Sequence, residues 1–115
     1  MQTAHHALEI FQIPASEARE MIARSLADAG FKVASSSPSE WTIRASRGSS
    51  MAVRDQQTGR IMEVIVREVG PNSAVSIYHH TSGLGPLVGT MFGDILRDEV
   101  NEVFASLEKM AMATH

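Results

Sequence analysis

Leu84-Gly85-Pro86-Leu87-Val88-Gly89-Thr90-Met91-Phe92-Gly93-Asp94-Ile95-Leu96-Arg97-Asp98-Glu99-Val100-Asn101-Glu102-Val103-Phe104-Ala105-Ser106-Leu107-Glu108-Lys109-Met110 is the stretch on which the reading of this chain turns. Leu84, Leu87, Val88, Met91, Phe92, Ile95, Leu96, Val100, Val103, Phe104, Leu107 and Met110 recur at three- and four-residue steps without a slip. That is the period of one face of an α-helix. A helix from about Pro86 to Met112 spans roughly 40 Å at about 1.5 Å per residue, whereas ordinary helices average about 11–12 residues. An apolar stripe this long needs a second layer to lie on, and any part that overhangs a small sheet is left for a second subunit.

The chain upstream supplies that layer. Ala7 to Ile13 reads as a strand whose imperfect alternation leaves its inward face open. Pro14 ends it and opens a helix, with Ser16 expected as N-cap and Glu17 and Glu20 in the positively polarised first turn. Ala18, Met21, Ile22, Leu26 and Ala29 form the apolar stripe of that helix, and Gly30 stops it, because glycine takes the left-handed conformation cheaply. Phe31 to Ser35 resumes as a strand with Phe31 and Val33 inward, and Ser35 to Ser39 is turn chemistry. Trp41 to Ser46 places Trp41, Ile43 and Ala45 on one face. Arg47 to Gly59 fits either a short strand at Met51 to Arg54 or an irregular loop.

Arg60 to Val69 is the strongest strand. Met62, Val64 and Val66 face one way, and Ile61, Ile65 and Val69 face the other with Glu63 and Arg67. A strand apolar on both faces is expected to be central or covered on both sides. A hairpin turn at Pro71-Asn72 leads into Ala74 to Thr81, with Val75, Ile77 and His79 on one face. The expected class is therefore α+β: one domain over 1–115, a curved antiparallel sheet of about five strands in β-α-β4-α order, and both helices on its concave face.

This order resembles the TATA-box-binding-protein-like and helix-grip folds, in which a curved sheet wraps a long carboxy-terminal helix. The first strand running into Ile13-Pro14-Ala15-Ser16-Glu17 also looks like the opening of START-like lipid-binding domains. The resemblance covers nearly the whole chain and is one of pattern, so it implies a fold. START-like domains carry more strands, and the DNA-binding saddle uses paired repeats and a basic, aromatic undersurface, whereas this chain shows no repeat and has a net charge of −3. The resemblance carries over no functional residue.

Composition narrows the chemistry. With no cysteine, disulfides, thiolate metal sites and cysteine nucleophiles are excluded. That composition fits a reducing, cytoplasmic setting. The amino terminus lacks a basic segment followed by an apolar run, and no uninterrupted apolar stretch suffices for a membrane span. A net charge of −3 argues against a nucleic-acid partner. Arginines cluster at Arg44, Arg47, Arg54, Arg60 and Arg67, and acids at Asp94, Asp98, Glu99, Glu102 and Glu108, a pattern read first as intramolecular complementarity.

No motif specifies a reaction. His79-His80 and His5-His6 are adjacent on strands, so each pair splits across the sheet, and no metal or cofactor is expected. Glu63 falls on the face opposite Met62 and Val64, so His79 and Glu63 make no evident acid–base pair. Gly83-Leu84-Gly85 ahead of a helix matches neither nucleotide fingerprint.

Three readings follow. The first is a non-enzymatic binding or assembly domain that forms a homo-oligomer, with Gly85, Gly89 and Gly93 as a small-residue interface ridge. The second is a carrier of a small apolar ligand lined by Trp41, Met62, Val64, Met91, Phe92 and Ile95. The third is an enzyme of unknown class.

Overall fold

The computed structural model describes residues 4–34, 42–47, 59–81 and 89–114, the side chains of 89–93 and 114 apart. Its elements run β1 (Ala4–Phe11), α1 (Ala15–Asp28), β2 (Lys32–Val33), β3 (Thr42–Arg47), β4 (Arg60–Val69), β5 (Asn72–Thr81) and α2 (Gly89–Thr114). The strands form one five-stranded antiparallel sheet in the order β1-β5-β4-β3-β2. The α+β class, the sheet and the long last helix are as the sequence pattern leads one to expect.

Register explains which side chains meet. On the inner face Ala7, Ile77, Val64 and Ile43 form one row across four strands, and His5, His79, Met62 and Ala45 form the next. Leu96, Val100, Val103, Phe104 and Leu107 of α2 are buried in the core, as are Ala18, Met21, Ile22 and Leu26 of α1. Both helices therefore cover the same face. Phe11 and Phe104 stack tilted with centroids 6.0 Å apart, tying β1 to α2, and the Ser25 hydroxyl reaches the Met110 sulfur at 3.7 Å, tying α1 to α2.

The ends of α1 show why it starts and stops. Ser16 is not the N-cap: Pro14 holds that position with no side-chain cap, and the Ala18 N–H reaches the Pro14 carbonyl at 3.0 Å. Proline's extended backbone directs the chain into the helix while Ser16 already lies inside it. At the other end Gly30 has φ +91°. Its N–H bonds the Ala27 carbonyl and that of Phe31 bonds Leu26, the paired bonds of a Schellman stop.

Other boundaries move from the sequence expectation. β1 begins three residues earlier than Ala7 and ends at Phe11, and Leu8 and Ile10 point out while Ala7, Glu9 and Phe11 point in. The hairpin turn is Gly70-Pro71, with Val69 already paired to Asn72 and Gly70 at φ +61°. The described part of α2 begins at Gly89, so Gly89 and Gly93 lie in its first turns. Gly85, Trp41 and the stretch from Gly48 to Thr58 lie outside the described residues. β4 is central, as expected, but among the described residues nothing covers its outer face.

Candidate functional site

Three strands and one helix bring four charged or ionisable side chains together under α2. Arg60 opens the inner row of β4 that continues through Met62, Val64 and Val66. Arg47 ends the inner row of β3, directly opposite Arg60 across the ladder. Like charges facing each other destabilise a sheet, so something must lie between them. Glu99 does: it interrupts the apolar stripe of α2 three residues after Leu96 and next to Val100, and so faces the sheet. His79, on the inner face of β5, completes the group.

The geometry is saturated. Glu99 Oε1 accepts from Arg60 Nε at 2.6 Å and lies 3.0 Å from His79 Nε2. Glu99 Oε2 accepts from Arg60 Nη2 at 2.9 Å and from Arg47 Nη1 at 3.1 Å. Arg60 thus grips the carboxylate with two bonds, the strongest geometry for this pair. His79 Nδ1 lies 3.0 Å from the Ile61 carbonyl. Both ring nitrogens therefore face oxygens. His79 also stands edge-on to Phe31, with centroids 5.5 Å apart.

Arg47 reaches further. The same Nη1 donates to the Ala29 carbonyl at 3.0 Å, at the negative end of α1, and its guanidinium lies 5.9 Å from the centre of the Phe31 ring. Arg60 and His79 are shut off from solvent, while the Arg47 side chain is 42% exposed. Burial on its own pushes the Glu99 carboxyl up, but hydrogen bonds and charge from His79 and Arg60 outweigh it and hold the group at about 2. Among the described residues two arginines converge on this one glutamate, and Arg47 is the member open to solvent.

Nine residues along α2 the opposite situation holds. Glu108 meets Glu9, the inward carboxyl of β1, at a cleft of about 460 Å³ walled by Ile10, Phe11, Ile13, Ala111 and Met112. Burial first, then the hydrogen bond that protonated Glu9 donates to Glu108 and the negative charge of Glu108, raise Glu9 from its ordinary 4.5 to about 7. Two carboxyls at hydrogen-bond distance hold one proton between them.

The residues expected from sequence to line a ligand are placed as follows. Met62 and Val64 are fully enclosed in the core, and Ile95 is half-buried on α2, one turn ahead of Glu99. Met62 is the ladder partner of His79, so it borders the ionic cluster. Trp41 and Gly85 lie outside the described residues, as do the side chains of Met91 and Phe92; Gly89 and Gly93 are placed only as backbone of α2. His79 does not meet Glu63: Glu63 lies on the outer face, 3.4 Å from His80 Nε2. Among the described residues no group of three or more potential ligands is placed to hold a metal, and no helix is long and apolar enough to cross a membrane.

No protein-family profile and no curated protein matches this sequence. Solved structures do match its shape. The crystal structure of Ara h 8.0201, a Bet v 1-like helix-grip protein, superposes with a TM-score of 0.59 at 10% identity, over 98% of this chain and 99% of that one. TTHA0849 from Thermus thermophilus superposes with a TM-score of 0.50 at 14% identity, over 96% and 98%. At such identities the likeness is one of fold, and it supports the helix-grip side of the resemblance.

Proposed function

We propose that this chain is a non-enzymatic binding domain of helix-grip type, whose ligand is a small amphipathic molecule with an anionic group. The observation that carries the reading is Arg47, a partly exposed second arginine on a carboxylate that the buried Arg60 already grips with two bonds. An anion arriving from solvent meets Arg47 first. Ile95, half-buried one turn ahead of Glu99, offers apolar contact beside it. Because Met62 and Val64 have no exposed surface, a ligand rests at the rim of the helix–sheet seam and goes deeper only if α2 shifts. No residue in the cluster is a free nucleophile or an unmatched base, which favours binding over catalysis.

The test compares decanoate with decanol by calorimetry and by amide chemical shifts. Saturable binding of decanoate at least about tenfold tighter than decanol, about 1.4 kcal/mol, and lost in Arg47→Gln, supports the reading. Equal affinity for the two, or shifts that avoid Arg47 and Ile95, contradicts it.

A second reading, assembly into a homo-oligomer, is favoured by a separate observation: Leu8, Ile10, Val69 and Tyr78 are large side chains between 41% and 60% exposed, all on the outer face of the sheet.

A further inference from the structure

The outer face can be written out from the strand register. Ile10, Ala74 and Arg67 form one row; Leu8, Ser76, Ile65 and Thr42 the next; His6, Tyr78, Glu63 and Arg44 the third; Ala4, His80, Ile61 and Ser46 the fourth. Both helices lie on the opposite face, so these rows face outward. Leu8, Ile10, Ile61, Ile65 and Tyr78 give the face large apolar side chains among its polar ones, and β4, which supplies Ile61 and Ile65, is the strand whose two apolar faces call for two covers.

Three properties suit this face to a copy of itself. First, several of its polar groups are already paired within it, while Arg44 and Arg67 stand at the ends of their rows. His6 Nε2 and Ser76 Oγ are 2.8 Å apart, His80 Nε2 lies 3.4 Å from Glu63, and the Tyr78 ring stacks tilted on His80 with centroids 4.9 Å apart. Covering these paired groups costs less than covering bare ones, and the two arginines stay at the rim, open to solvent. Second, a knob and a hollow share one row. Leu8 stands 60% exposed beside a depression of about 430 Å³ lined by His6, Thr42, Glu63, Ile65, Ser76 and Tyr78. A two-fold axis presents the same patch from both sides, so a face bearing both shapes fits itself. Third, the area suffices. Four strands at about 4.8 Å by about eight residues at 3.4 Å give roughly 500 Å² in plan, so about 1,000 Å² over two copies, the lower bound for a specific interface.

We infer that the outer face of the sheet is a homodimer surface, in which Leu8 of each copy enters the hollow above Ser76 of the other. The inference rests on the assembly reading and names its surface, one on the opposite side of the sheet from α2 and its glycines.

The test is sedimentation equilibrium on the full chain and on Leu8→Lys, with circular dichroism confirming that the variant folds. A dimer for the native sequence, with Leu8→Lys weakening association at least about tenfold, supports the inference. A native monomer up to several hundred micromolar overturns both inference and assembly reading. A native dimer that Leu8→Lys leaves unchanged overturns this surface alone. Because the chain has no cysteine, mixed Leu8→Cys and Ser76→Cys chains of different mass give a second readout. A disulfide between the two kinds of chain supports the contact, and its absence in a dimeric sample contradicts it.

Discussion

Glu99 and Glu108 sit on the same helix, the first buried and the second exposed, and they meet opposite partners from the sheet. Glu99 lies under α2 among Arg60, His79 and Arg47 and is held at about 2. Glu108 lies near the helix end against Glu9, which is pushed up to about 7. What meets a carboxyl of α2 from the sheet therefore decides whether the contact is an anchor or a strain. The three partners of Glu99 fasten the helix to β3, β4 and β5. The Glu9–Glu108 contact weakens the fastening to β1 as the shared proton is lost.

The largest expected effect breaks the anchor. Glu99→Ala removes the carboxylate that the enclosed Arg60 grips with two bonds and should cost about 3–5 kcal/mol in urea unfolding at neutral pH. A cost under about 1 kcal/mol would place the cluster with ordinary surface pairs and erase the contrast. The second prediction sharpens the contrast through pH. A group lowered in the folded state, like Glu99, loses its stabilisation as pH falls from 4.5 toward 2. A group raised in the folded state, like Glu9, gives stability that fades as pH rises from 4.5 toward 7. These two groups together set a stability maximum near pH 4.5. Glu9→Gln should raise the melting temperature at pH 8 and leave it nearly unchanged at pH 4; an equal gain at both would mean that no shared proton is involved.

Smaller effects test the frame that holds the two ends. Gly30→Ala forces a side chain into a left-handed backbone and should cost about 1 kcal/mol, since its Cβ would meet the Arg47 guanidinium only at ordinary contact distance of 3.5 Å. A much larger loss would show that Arg47 and the stop of α1 are coupled. Ser73 Oγ is buried with no hydrogen-bond partner, so Ser73→Ala should be neutral or stabilise by up to about 1 kcal/mol.

Much of this fold is legible in the sequence because its signals are periodic. The bounds Arg60–Val69, the inward set Met62, Val64 and Val66, and the split of His79 from His80 follow from alternation alone. The long α2 follows from its three-and-four spacing. The cluster is legible in part: Glu99 is a charge inside the apolar stripe of α2, and Arg60 shares the parity of Met62. Reading those two exceptions against each other points to a buried pair. The third partner does not follow, because the opposition of Arg47 to Arg60 depends on a register that the segment between β3 and β4 leaves open. The Glu9–Glu108 pair is hidden for a similar reason, since the inward face of β1 is set by pairing with β5 and not by its own alternation.

The central claim is that the carboxylate of Glu99, ionised beneath α2, is what binds that helix to the sheet. Carbon-13 chemical shifts of the glutamate carboxyls, followed from pH 7 downward with Glu99→Gln for assignment, test it most directly. Glu99 should titrate near pH 2, with the native fold lost in the same acid range. A Glu99 midpoint at or above 4.5, with the fold intact, would contradict it.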